Sequence, residues 1–225
     1  MSGKLITIDG LDGSGKATQT ELLCTELKRR GVNVRRVSFP DYESKASAPI
    51  KMYLSGEFGS QPGDVNAYAA SAFFAVDRFA SYVRGWREDY LNGALIVADR
   101  YTTSNIIYQL PKLPQNEWNH YLEWAQDFEY NKFELPKPDL TIYLELPTEI
   151  SQKLLDKRYQ NSSGKRDINE SNVDYLSACR KSAEYAARCL SWKTVICEKG
   201  GSPRNKEEIH AEILKIVLEE LNDQL

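Results

Sequence analysis

Seven residues near the N-terminus carry the clearest chemistry. Gly10-Leu11-Asp12-Gly13-Ser14-Gly15-Lys16 has the spacing G-x-x-x-x-G-K, in which glycines let successive backbone N–H groups converge on phosphate oxygens. The Lys16 cation would stand against β- and γ-phosphates, helped by the positive end of the helix that follows. An ordinary glycine turn with an exposed lysine is the alternative. It does not require a strand before the turn and a helical pattern after it, and both are present. The implied ligand is ATP, cradled from Gly10 to Lys16 with Ala17 and Thr18 on the first helical turn.

Position 17 departs from the motif. Ala17 stands where a hydroxyl would ligate Mg²⁺, and Thr18 comes one residue late, about 100° further round the helix. Mg²⁺ is still expected, held by phosphates, water and a carboxylate elsewhere. Asp9 and Asp99 are the candidates, each at the carboxyl end of an apolar strand, where open α/β sheets place their sites. Asp12 lies where phosphate must pass. A carboxylate suits that position if it faces a second substrate's hydroxyl or a cation; a structural cap is the alternative.

These groups need a sheet to carry them. Apolar runs at Leu5–Ile8, Val32–Phe39, Ala94–Ala98, Leu140–Leu144 and Thr194–Cys197 read as strands. Helical patterns occupy Lys16–Arg30, most of 41–90 with a long run at Ala67–Trp86, Gln115–Tyr130, Thr148–Arg158, Asn172–Leu190 and Lys206–Leu221. Alternating strands and helices predict an α/β fold, a parallel sheet covered on both faces. No repeat or convincing boundary divides residues 1–225, so one domain with helical insertions is expected. The polar segment 161–166, Asn-Ser-Ser-Gly-Lys-Arg, has no apolar anchor and reads as a lid.

Composition bounds the partners. The chain has 225 residues, 41% hydrophobic and 27% charged, with a formal charge of −3. Disorder and membrane spans fit poorly, and general attraction to a nucleic acid polymer is not expected. Met1-Ser2-Gly3-Lys4 leads into a strand without a signal-peptide core, which suggests the cytoplasm. Cys24, Cys179, Cys189 and Cys197 show no metal-binding spacing.

Further pieces carry a resemblance: Phe39-Pro40, Phe73-Phe74-Ala75-Val76-Asp77-Arg78, Asp99-Arg100-Tyr101, Ser104-Asn105, Tyr108-Gln109 and Asp167-Ile168-Asn169-Glu170. With the glycine-rich turn, their order resembles the thymidylate kinase family over essentially the whole chain. The resemblance implies a P-loop NTPase-type three-layer fold with a five-stranded parallel core. It also implies phosphorylation of dTMP by ATP, and a homodimer. Phe74 looks like the ring that stacks on thymine, with Arg78 one turn later at the base edge. Arg100 resembles the arginine that grips the dTMP phosphate, and Asn105 a base-reading amide. Tyr108 resembles the ring that fills the space of a ribose 2′-OH, with Gln109 on the same wall and Phe39 and Tyr42 opposite. Core packing for Phe73 and Phe74, a solvated charge for Arg78, a helix-surface amide for Gln109 and a loop-tying salt bridge for Arg100 are the structural alternatives.

Asp41 stands where bacterial-type members commonly have arginine, which shifts phosphate binding toward Arg100 and a lysine such as Lys45 or Lys51. The loop 10–16 contains no arginine, so the lid cations Arg158, Lys165 and Arg166 are the expected catalytic charges, unless they are a solvated face. Asp167 and Glu170 match the acidic pair after the lid (158–170), and Asn169 replaces a common histidine. Arg204 is placed near adenine by the resemblance alone. Rival readings are another nucleoside or nucleoside-monophosphate kinase, and a nucleotide-binding regulatory protein without transfer activity.

Overall fold

The computed structural model describes residues 2–160 and 166–222. Five strands, β1 (Leu5–Gly10), β2 (Val34–Ser38), β3 (Leu95–Asp99), β4 (Leu140–Glu145) and β5 (Lys193–Ile196), form one parallel sheet. Its order is β2-β3-β1-β4-β5. In chain order the helices are α1 (Lys16–Arg29), α2 (Ala48–Leu54), α3 (Ala67–Ser81), α4 (Arg87–Leu91), α5 (Thr102–Gln109), α6 (Trp118–Gln126), α7 (Thr148–Gln160), α8 (Val173–Cys189) and α9 (Lys206–Asn222).

Alternation along the central strands explains the three layers. Ile6 and Ile8 of β1 face Leu23 and Leu27 of α1 and Ile213 and Val217 of α9. Leu5, Ile96 and Ala98 point the other way, onto Tyr82, Trp86 and Tyr101. On that same side Leu11 and Tyr143 pack with Ile107 of α5 and Leu176 and Ala183 of α8. Both faces are therefore dry, which is why β1 and β3 read as unbroken apolar runs. Truncating a fully buried side chain such as Leu27 would cost about 2–5 kcal/mol.

Register puts the chemistry on one edge. Ile8 of β1 lies beside Asp99 of β3, Ser38 of β2 beside the same Asp99, and Gly10 beside Leu144 of β4. The ends of β1, β2 and β3 thus open onto one crevice next to the central strand.

The long helical runs are less regular than their sequence suggests. The run ending at Trp86 is α-helical to Ser81 and then widens into a π-turn, Tyr82–Trp86. The 115–130 run becomes a short 3₁₀ turn, α6 and a second π-turn, Asp127–Lys132. Bulky rings crowd both places: Tyr82 on Trp86, and Trp124 stacked on Phe128 at 4.9 Å. A single widened turn reseats such rings without ending the helix. A small antiparallel pair, β6 (Glu198–Lys199) with β7 (Ser202–Pro203), turns at Gly200-Gly201 and was not visible in the hydrophobic pattern. Among the described residues no helix is long and apolar enough to cross a membrane.

Candidate active site

The glycine-rich turn joins β1 to α1. Gly10 has no room for a side chain, because a Cβ there would meet the Leu144 carbonyl oxygen at 2.7 Å. Gly15, at φ 90°, takes the left-handed conformation at the N-cap of α1 and supplies no side-chain cap. The first turn of α1 contains no acidic residue, so its N–H groups are suited to an anion. Lys16 is buried and donates to the Leu11 carbonyl at 2.7 Å, with the Asp12 carboxylate at 3.9 Å. Burial, then the neighbouring Arg100 cation, lowers its pKa to about 8. A phosphate beside it would reverse that shift.

This turn forms one end of a cleft of about 1420 Å³. That exceeds the range of about 300–1,000 Å³ usual for one small ligand. Ala17 and Thr18 line it, as do Ser38, Phe39, Pro40 and Tyr42 from the segment after β2.

Asp99 and Arg100 sit where β3 ends. Arg100 adopts φ 65°, a left-handed backbone uncommon for a residue with a side chain, while its N–H still donates to Ile8 O at 3.0 Å. Its guanidinium pairs with Asp12 and lies 3.7 Å from Asp9. Burial opposes that charge, yet the groups around it, Asp12 foremost, hold it firmly protonated. Asp99 lines the cleft, with Arg36 of β2 at 3.8 Å. Asp9 does not line it. Its oxygens accept from the Gly10 N–H and from the hydroxyls of Thr103 and Ser104. Its geometry is that of a brace between β1, α5 and Arg100 rather than of an open metal ligand.

The far end of the cleft is lined from α3 and α5. Phe74 of α3 lines it, edge-on to Tyr53, while the adjacent Phe73 turns to Phe58 and Tyr53. Arg78, one turn on, also lines the cleft and is 2% exposed. Its guanidinium grips Glu129 through two bonds of 2.7 and 2.6 Å and donates to Tyr101 O at 3.3 Å. Asn105 of α5 donates both amide hydrogens, to Glu129 Oε1 at 2.8 Å and to Ser71 O at 3.2 Å. Tyr108 donates its hydroxyl to Asp12 and carries the Arg100 guanidinium over its ring at 5.5 Å. Gln109 lines the same wall with a buried, unpartnered Oε1.

A model of the family described as thymidylate kinase matches residues 8–213. The chain belongs to that family. It is 32% identical to a thymidylate kinase of Mycobacterium tuberculosis over 186 residues, 81% of this chain and 84% of that protein. It is 30% identical to one of Plasmodium falciparum over 154 residues, 68% of this chain and 67% of that one. Its fold is similar to the solved structure of thymidylate kinase from Candida albicans, with a TM-score of 0.71 at 23% identity, covering 98% of this chain and 93% of that one.

Several expectations can now be placed on this member of the thymidylate kinase family. Asp41 is not among the cleft-lining residues; its backbone N–H is held by Asp77 at 2.9 Å. Of the two lysines considered beside it, Lys51 lines the cleft and Lys45 does not. Arg166 lines it while paired with Asp156 at 2.6 Å and donating to Gln152 at 2.7 Å. Lys165 and the Arg158 side chain lie outside the described residues. Asp167 accepts the N–H groups of Asn169 and Glu170, each at 2.8 Å. Burial first, then the like charges of Glu170 and Asp12, raises its pKa to about 7. Arg204 is not at the cleft; it is tied to Ile196 O and Glu212.

Sequence reasoning missed Glu129, Arg36 and Asp77. A signal for Glu129 was present, since it continues the buried positions Tyr121, Leu122 and Ala125 at helical spacing. An acid on an apolar face requires a partner. Arg36 has no such mark in the sequence, and Asp77 stands inside the quoted motif without a role given to it.

Proposed function

We propose that this chain transfers the γ-phosphoryl group of ATP to dTMP, giving dTDP and ADP, by direct in-line displacement. One observation carries the reading: a single cleft joins the phosphate-cradling turn and Lys16 to Arg100, and continues into a slot formed by Phe74, Arg78 and Asn105. Two phosphate-bearing ligands placed head to head would fit it.

Lys16 and the loop amides hold the donor phosphates. Arg100 takes the acceptor phosphate by a charge-assisted pair. A dTMP phosphate oxygen attacks the γ-phosphorus, a new O–P bond forms, and the bond to the ADP oxygen breaks. Catalysis is then positioning and charge. The lid would bring Arg166 toward the transferred group and exclude water. Across residues 1–225 the chain would work as one domain.

At the base, the Asn105 amide hydrogens are already engaged, so its Oδ1 is the atom for a ligand N–H. Arg78 has five N–H donors, of which three are used. Thymine offers an N3–H donor and an O4 acceptor, which match. Cytosine offers an acceptor and an amino group, which do not.

The donor set suits Mg²⁺, which keeps several waters and needs only one or two carboxylates plus phosphates. Asp99 would hold it, directly or through water, with Ala17 contributing nothing. Bound there, the ion would neutralise phosphate charge. Exposed Val76, Phe79 and Val83 form an apolar stripe on α3 and the turn after it, which supports a homodimer packed through that face. Four unpaired cysteines suit the reducing cytoplasm.

The test is ADP and product formation from ATP with dTMP, dUMP, UMP, dCMP and thymidine in turn. dTMP should give the highest kcat/KM. Preference for another acceptor, or ATP binding without any transfer, would defeat the reading.

A further inference from the structure

Among the described residues, Glu129 is the carboxylate that hydrogen-bonds both groups assigned to the base edge. It is 1% exposed, sits in the π-turn after α6 and faces no solvent. Its Oε2 accepts from Arg78 Nε, and its Oε1 accepts from both Arg78 Nη2 and Asn105 Nδ2. We infer that Glu129 is a positioning residue that fixes which end of the Asn105 carboxamide faces the nucleobase, and so sets the preference for an imide pyrimidine over a 4-aminopyrimidine. The inference rests on the dTMP-kinase reading above and names the origin of its base selectivity.

The argument is one of donors and acceptors. A carboxamide has two faces of nearly equal shape but opposite hydrogen-bonding character. Nothing in the shape of the slot prevents Asn105 from turning over, which would present its NH₂ to the base and match cytosine N3. Glu129 prevents this because both its oxygens already accept, from Arg78 and from Asn105. Turning Asn105 over would place Oδ1 against Oε1, two acceptors in a dry site, and would also leave Ser71 O without its donor. An unmatched pair there costs about 1–3 kcal/mol, or roughly fivefold to 150-fold in relative occupancy. The Arg78 guanidinium grips Glu129 at two points, which fixes the carboxylate plane. The chain of constraint runs from Arg78 through Glu129 to Asn105 Oδ1.

Glu129→Gln keeps the shape and replaces one acceptor by a donor. At either position the new NH₂ takes an acceptor from Arg78, and at the Oε1 position it also gives Asn105 a reason to turn over. Steady-state kcat/KM for dTMP and for dCMP, each with saturating ATP, should be measured on the wild-type and variant chains. The dTMP/dCMP ratio should fall by about tenfold or more, through a rise in KM for dTMP with kcat less affected. An equal loss on both substrates, ratio unchanged, would mean that Glu129 only supports the fold, and would overturn the inference. Wild-type protein that fails to phosphorylate dTMP would instead sink the underlying reading.

Removing one charge from a buried pair is strongly destabilising. If Glu129→Gln does not fold, side-chain amide NMR on the wild-type protein decides, with the Asn105 signals assigned by their loss in Asn105→Ser. The two Nδ2 protons should exchange with solvent at least about a hundredfold more slowly than a free amide in the ligand-free protein, and keep that protection with dTMP bound. Free-amide exchange, or protons that leave Glu129 for the base on binding, would overturn the inference.

Discussion

The Arg100 guanidinium, assigned to the acceptor phosphate, is already ion-paired with Asp12 of the phosphate-binding turn. The Ser104 hydroxyl stands 3.4 Å away on its other side. The acceptor must therefore compete with a carboxylate for its own anchor, and the arginine is held in place before it arrives. Lysine would keep the charge but lose the fork that serves two partners at once. Arg100→Lys is expected to lower kcat/KM for dTMP by about a hundredfold with ATP affinity little changed. Steady-state kinetics and ATP titration check this together.

Lys16 is buried without a salt bridge closer than 3.9 Å, so it contributes little to holding the fold. Lys16→Ala should cost about a thousandfold or more in kcat and leave the thermal unfolding midpoint within a few degrees of wild type. Retained turnover would contradict its place against the donor phosphates.

The Tyr108 ring is fixed by its bond to Asp12 and by Arg100 over its face. Removing it should open space beside the sugar. Tyr108→Ala is expected to narrow the preference for dTMP over its ribose counterpart by about tenfold or more, measured as a ratio of kcat/KM values. A ratio that does not move would assign the ring to packing alone.

Asp167 has a folded-state pKa of about 7, above its ordinary 3.8. Between those values the folded chain holds a proton that the unfolded chain has released. Its contribution to stability is whole below about pH 4 and is lost as the pH rises through 7. Asp167→Asn keeps an oxygen for the N–H groups of Asn169 and Glu170 and removes the charge. The variant should gain stability over wild type on going from pH 4 to pH 8, by about 1–2 kcal/mol after allowing for partial exposure. Thermal melts at the two pH values decide; an equal effect at both would place the proton elsewhere.

Phe79 is 42% exposed and touches Phe133 edge-on at 5.7 Å. If the α3 stripe joins two copies, Phe79→Asp should place unpaired charge at the centre of that contact and yield a monomer by sedimentation velocity. A wild-type chain that is monomeric at micromolar concentration would refute the arrangement.

The sheet was readable because its strands β1 and β3 are buried on both faces and all five are bounded by glycine, proline or charge. Each of the five strands begins within two residues of its expected start. The phosphate-binding turn was readable because its backbone shape leaves glycines at fixed spacing. α5 was not named beforehand: Thr102-Thr103-Ser104-Asn105 is polar and has no apolar stripe, since its buried side is made of hydrogen-bonding groups. The π-turns were equally hidden, because ring packing sets them and the helical period hardly changes. Partnerships were the least legible of all. Arg78 and Asn105 could be picked out singly, whereas the acid joining them lies 51 residues from one and 24 from the other.

The left-handed backbone at Arg100 has an evolutionary side. A residue with a Cβ at φ 65° is disfavoured by about 1 kcal/mol or more against glycine. Glycine would relieve that strain, but it would also strip Asp12 and Asp9 of their cation in a largely buried site, which is the greater loss. Drift toward the easier backbone is blocked here by the surrounding carboxylates, and an engineer seeking heat resistance should look elsewhere.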